Sequence, residues 1–110
     1  MTSELAKKKC ESCAGGTPPL KGEALRVLEG QLSDGWHVVN GERLEKQFQF
    51  PDFGRALEFA NRVGGIAEEQ GHHPDIFLTY GEVRIQTWTH KAGGLTENDF
   101  ILAAKIDELG

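Results

Sequence analysis

Three of the four histidines in this chain, His72, His73 and His90, flank one segment whose residue pattern is that of a β-hairpin. Imidazole titrates near neutrality, so clustered imidazoles serve a reaction that needs both proton donation and proton removal, with no metal or organic cofactor. Residues 75–80 and 82–90 read as the two strands, joined by a tight turn at Gly81. In an antiparallel pair the start of one strand lies beside the end of the other, which brings His72 and His73 to His90. Pro74 pushes His73 toward an extended conformation, and neighbouring side chains in extended chain point to opposite sides. Only one of the adjacent pair therefore aims directly at a shared point.

The competing chemistry is a metal site made of two or three of these histidines with Asp99. Ligand pairs on one element usually face the same way, and neighbours 72 and 73 do not, which favours acid–base work over metal ligation. A single histidine ahead of a strand is commonly a solvated turn residue, and it is the convergence of three that marks a site. His37 lacks such company and reads as an exposed strand residue. Asp99 also has a local role, since Thr96-Glu97-Asn98-Asp99 is a capping box at a helix start. Cys10 and Cys13 form C-x-x-C, but no helix pattern follows and no second pair exists, so neither a redox nor a zinc site is inferred. Glycine-rich phosphate loops and the G-x-S-x-G elbow are absent.

The elements that must position these residues follow from local pattern. Residues 1–19, rich in Lys, Gly, Thr and Pro, read as a flexible leader, with a single domain over 20–110. Leu25, Leu28 and Leu32 mark a short amphipathic helix ended by Ser33-Asp34-Gly35. Trp36 and Val38, then Leu44, Phe48 and Phe50, alternate with polar residues around Asn40-Gly41, a two-residue hairpin turn. Asp52 caps a helix whose stripe is Phe53, Ala56, Leu57, Ala60, Val63 and Ala67, and Gly71 stops it. In the second hairpin Val83, Ile85 and Thr87 share one face, and a last helix begins at Thr96. The fold class is α+β: a two-layer domain in which a four-stranded antiparallel sheet of two hairpins carries three helices on one face, in the order α-β-β-α-β-β-α. The last helix is apolar over more than one stripe, through Phe100, Ile101, Leu102, Ala103, Ala104, Ile106 and Leu109, which predicts a second buried face such as another subunit.

A formal charge of −5 argues against nonspecific attraction to nucleic acid or anionic lipid, and Lys7-Lys8-Lys9 is the only basic run. Neither an apolar stretch of membrane-spanning length nor a signal-peptide core is present, so a cytoplasmic protein is expected.

With its spacing intact, Glu68-x-x-x-His72-His73-Pro74-Asp75, then Thr89-His90, then Gly94-Leu95-Thr96-x-x-Asp99, resembles the signature of the pterin-4a-carbinolamine dehydratases. The resemblance runs from about Gly35-Trp36 to the C-terminus and departs from animal members at Ile76, where an aromatic residue is common. It implies a domain that pairs its sheet edge with a second copy, as a homodimer or homotetramer, and that binds a pterin in a cleft lined by the histidines. The implied reaction removes the 4a-hydroxyl from the carbinolamine left by aromatic amino acid hydroxylases, giving quinonoid dihydropterin for recycling. On this likeness His72 and His90 are the proton-handling pair, His73 orients substrate, and Asp99 orients His90. Pro74 shapes the pocket wall, and Glu68 stands with Pro74 and Asp99 among the substrate-binding residues. Two other readings accompany the family: a protein-binding coactivator module that supports dimerisation of a transcription factor, and a homologue serving folate or molybdopterin metabolism.

Overall fold

The computed structural model describes residues 4–10 and 18–109. The first hairpin forms where Asn40 and Gly41 adopt positive φ, 54° and 67°, the pair that a type I′ turn requires. It joins β1 (His37–Val39) to β2 (Arg43–Gln49) with Val38 opposite Leu44. The second hairpin joins β3 (Asp75–Thr79) to β4 (Glu82–Thr87) through Gly81, whose φ is 81°. β4 pairs with β2, Ile85 opposite Lys46, so the antiparallel sheet runs β1-β2-β4-β3. Strand alternation sends Leu44, Val83, Ile85 and Thr87 to one fully buried face.

Against that face packs α3 (Phe53–Gln70), capped by Asp52 accepting from the Arg55 N–H at 2.8 Å. Its buried stripe is Ala56, Phe59, Val63 and Ala67, a spacing of three and four residues. This corrects the sequence expectation: Phe53 and Leu57 remain over 40% exposed, and Phe59 turns inward to meet Phe48 and Phe50. The helix α2 (Glu23–Glu29) buries Leu25 as expected, and α4 (Glu97–Asp107) follows Thr96. At the far end of α4, Asp107 accepts from Trp36 Nε1 and Lys46 Nζ, each at 3.0 Å, tying that helix to the first hairpin.

Two further differences share one cause. Residues 4–10, read as part of a flexible leader, carry the short helix α1 (Glu4–Lys7), so the described residues form four helices rather than three. Leu5 and Ala6 are buried against α4, and Lys105 Nζ donates to the Ala6 carbonyl at 2.8 Å. The broad apolar circumference of α4, which predicted a second subunit, is thus covered in part by α1 of the same chain. Cys10 follows α1, while Cys13 lies outside the described residues. No helix among the described residues is long and apolar enough to cross a membrane.

Candidate active site

Residue 72 is placed by the way α3 ends. Gly71 takes the left-handed conformation, φ 65°, and the paired bonds Gly71 N to Glu68 O and His72 N to Ala67 O complete a Schellman motif. That turn aims the His72 side chain, 12% exposed, toward the start of α4. There Nε2 of His72 meets Oδ1 of Asp99 at 2.6 Å.

Asp99 is fully buried and fully engaged. The Thr87 hydroxyl donates to Oδ1 at 2.6 Å, the Thr89 hydroxyl to Oδ2 at 2.9 Å and the Thr96 N–H to Oδ2 at 3.0 Å. The Thr96 hydroxyl, 2.7 Å from that of Thr89, donates to it because the single Thr89 proton is already committed. A buried carboxylate surrounded by donors is a hydrogen-bond acceptor, so Nε2 of His72 carries the proton and Nδ1 is the nitrogen left for a ligand. The capping box read from sequence is therefore also the anchor of a histidine, with Thr96 N–H as the helix-capping donor.

Asp99 pairs with His72 rather than with His90, the partner that the resemblance implied. His73 points the other way from His72, as extended chain requires, and its Nε2 lies 2.7 Å from Oε2 of Glu68 in a largely exposed pair. Pro74 is half-buried and leads into β3. His90 is exposed just past β4, where its ring stacks on Trp88 with centroids 4.5 Å apart and an 18° interplanar angle. Extending the Asp75–Gln86 register by two and three residues sets His73 opposite Trp88 and His72 opposite Thr89. All three histidines thus gather at one end of the β3–β4 ribbon, with His72 turned to the helix side and His73 and His90 to the other. His37 lies exposed on β1.

The turn that follows β4 fixes the backbone of residue 90. Thr89 N donates to the Gly94 carbonyl at 2.8 Å and Gly93 N to the His90 carbonyl at 3.2 Å. A strap crosses this loop, with Leu20 N donating to the Leu95 carbonyl at 2.7 Å. A Cβ at Gly94 would stand 2.9 Å from Cβ of Pro19, so glycine is what lets the strap pass. Among the described residues no group of three or more His, Cys, Asp or Glu side chains is arranged to hold a metal ion.

Sequence reasoning missed Thr87, Thr89 and Trp88. The signal was present in part: a strand face that runs Val83, Ile85, Thr87 changes from apolar to hydroxyl residues, and buried hydroxyls need partners.

The chain is a two-layer antiparallel α+β domain that sets a carboxylate-anchored imidazole and two further imidazoles at the open end of one hairpin. The sequence profile of the pterin 4 alpha carbinolamine dehydratase family matches residues 18–109, and the chain belongs to that family. A Rubrobacter xylanophilus protein named as a pterin-4-alpha-carbinolamine dehydratase is 55% identical over 107 residues, covering 97% of this chain and 99% of its own. One from Alkaliphilus metalliredigens with the same name is 45% identical over 106 residues, covering 96% of each chain. The crystal structure of a transcriptional coactivator/pterin dehydratase from Brucella melitensis superposes with a TM-score of 0.77 at 32% identity, over 83% of this chain and 97% of that one. A pterin dehydratase-like protein described as a RuBisCO assembly factor in the alpha-carboxysome gives 0.58 at 25% identity, over 68% and 88%.

Proposed function

We propose that this protein dehydrates 4a-hydroxytetrahydropterin to quinonoid dihydropterin and water. In that reaction the bond from C4a to its hydroxyl oxygen breaks, and the hydroxyl takes up a proton and leaves as water. The adjacent ring nitrogen gives up its proton as its electron pair forms the double bond to C4a. One group must donate and another must accept, and the pterin itself supplies the electrons.

The observation that carries this reading is the His72–Asp99 pair. A buried carboxylate bonded to one imidazole nitrogen fixes the tautomer and stabilises the imidazolium formed when the other nitrogen takes a proton, the logic of catalytic histidine–aspartate pairs generally. His72 is accordingly the base, through Nδ1, and Asp99 acts through His72 without touching substrate. His90, exposed at the same hairpin mouth on the face opposite His72, is the proton donor to the departing hydroxyl, an assignment that requires the pterin to sit across the end of the ribbon between the two imidazoles. His73, steadied by Glu68, orients the pterin, and Pro74 forms part of the wall. Family membership and the retained histidine spacing support His72 and His90 as the proton-handling pair.

In the cell the carbinolamine would be supplied by an aromatic amino acid hydroxylase, the work would be done in the cytoplasm by the domain spanning 20–110, and the active form would be a homodimer or homotetramer. The direct test is the rate at which chemically generated 4a-hydroxytetrahydropterin loses water with the purified protein present. Acceleration that survives chelators is expected. A rate equal to that in buffer would discard the proposal.

A further inference from the structure

His72 and His73 are each held by a carboxylate, but His90 is not. Its side chain is exposed, and among the described residues neither ring nitrogen has a hydrogen-bond partner. An exposed side chain with no polar tether samples several rotamers, which is poor preparation for a proton donor whose reach must be set to a fraction of an ångström. What holds the ring is aromatic. The imidazole lies nearly parallel on the indole of Trp88, two residues earlier on the same side of the extended chain. The indole is braced in turn from the neighbouring strand. Leu44 pairs with Thr87, which sets Arg43 opposite Trp88, and the Arg43 guanidinium carbon lies 4.3 Å from the indole centroid. Trp88 is thus engaged by two groups of its own chain, Arg43 and His90.

We infer that Trp88 is a positioning residue for His90, fixing the plane of its imidazole at the hairpin mouth, with Arg43 as the brace that fixes the indole. The inference rests on the dehydratase reading above, in which His90 handles a proton. It separates Trp88 from the role first suggested by an aromatic residue in a pterin site, that of a stacking surface for the substrate. A positioning residue acts on turnover, and a stacking surface acts on substrate affinity.

The experiment compares Trp88→Phe and Trp88→Leu with the unaltered protein, by steady-state dehydration kinetics and by NMR of the histidine ring protons, with His90→Gln identifying the residue 90 signals. In the unaltered protein the His90 ring protons should be shifted upfield by the indole ring current. Trp88→Leu should abolish that shift and lower kcat roughly 10- to 100-fold with KM changed less than about threefold, the expected result of misplacing a reacting group. Trp88→Phe, which keeps a ring to stack on, should retain most of both. Arg43→Ala should fall between the two.

An unshifted His90 spectrum in the unaltered protein overturns the inference, as does an unchanged kcat in Trp88→Leu. A raised KM at constant kcat overturns it in favour of substrate stacking. If the unaltered protein has no dehydratase activity, it is the dehydratase reading that fails, and the spectra alone still decide whether the stack orders His90.

Discussion

Nε2 of His72 and Oδ1 of Asp99 lie 2.6 Å apart although one residue closes α3 and the other stands in the first turn of α4. The contact unites two helix-end devices, a Schellman turn that delivers the imidazole and a capping box that delivers the carboxylate. Each device is local. Their meeting depends on the sheet between them, because Thr87 and Thr89 of the β4 end supply the hydroxyls that hold Asp99 in place.

Asp99→Asn should preserve the shape of this anchor while removing its charge. The amide oxygen accepts from the donors on one side only, its NH2 faces the donors on the other, and it no longer stabilises an imidazolium at His72. A fall in kcat of roughly 100- to 10,000-fold is expected, the range between a lost general base and a mispositioned one. His72→Ala should lose at least about 100-fold. Circular dichroism spectra that match the unaltered protein would show that the fold survives, and activity within twofold in both variants would remove His72 from the reaction.

The hydroxyl of Thr87 donates to a carboxylate with no solvent to replace it. Thr87→Val keeps the side-chain shape and leaves Asp99 one donor short, at a cost of about 1–3 kcal/mol that the added methyl offsets only in part. In a domain of this size each kcal/mol lowers Tm by roughly 4–8 °C. Thermal melts and urea titrations read this loss directly. A variant as stable as the parent would mean that the hydrogen bond contributes nothing net.

The hairpin turn at Asn40-Gly41, the Asp52 cap, the Gly71 stop and the Thr96–Asp99 capping box were all legible in the sequence, because each is decided by residues within four positions of one another. The gathering of the three histidines was legible for a related reason, since hairpin pairing is set by one short turn. What escaped was long-range. Nothing near Asp99 says that its carboxylate faces His72, 27 residues away, rather than His90. Nothing in a Lys-rich N-terminus says that Leu5 finds a place on α4. The α3 stripe was misread by a fraction of a turn, because Phe53 and Leu57 are as apolar as Phe59 and only the sheet beneath decides which of them is covered.

The docking of α1 is itself open to test. Leu5 is 1% exposed in a helix of four residues, too short to persist without tertiary packing. Leu5→Ala should therefore cost about 2–5 kcal/mol, as for other buried leucines. The residues after α1 reach the site end of the helices, Lys8 pairing with Glu97 and Cys10 N donating to Gln70 Oε1, so undocking α1 should also lower kcat under conditions where the variant is folded. A denaturation midpoint equal to the parent's would show that residues 4–7 do not contribute to the fold.

The loop after His90 carries a steric condition that reaches into the leader. Gly94 passes beneath Pro19 so closely that a Cβ there would sit 2.9 Å from Cβ of Pro19, inside the carbon–carbon optimum of about 3.5–4.0 Å. Neither side yields easily. Leu20, next to Pro19, is tied to the Leu95 carbonyl, and the Gly94 carbonyl accepts from Thr89. Gly94→Ala should therefore cost about 1–3 kcal/mol, the usual penalty of overpacking, and should also lower turnover, since the strain falls on the loop that fixes His90. Pro19→Gly removes the opposing atom, at the smaller cost of a freer unfolded chain. The double variant is then expected to regain most of what Gly94→Ala loses, a coupling that a double-mutant cycle reads from urea midpoints and kcat together. Strictly additive losses would show that the strap does not press on the catalytic loop.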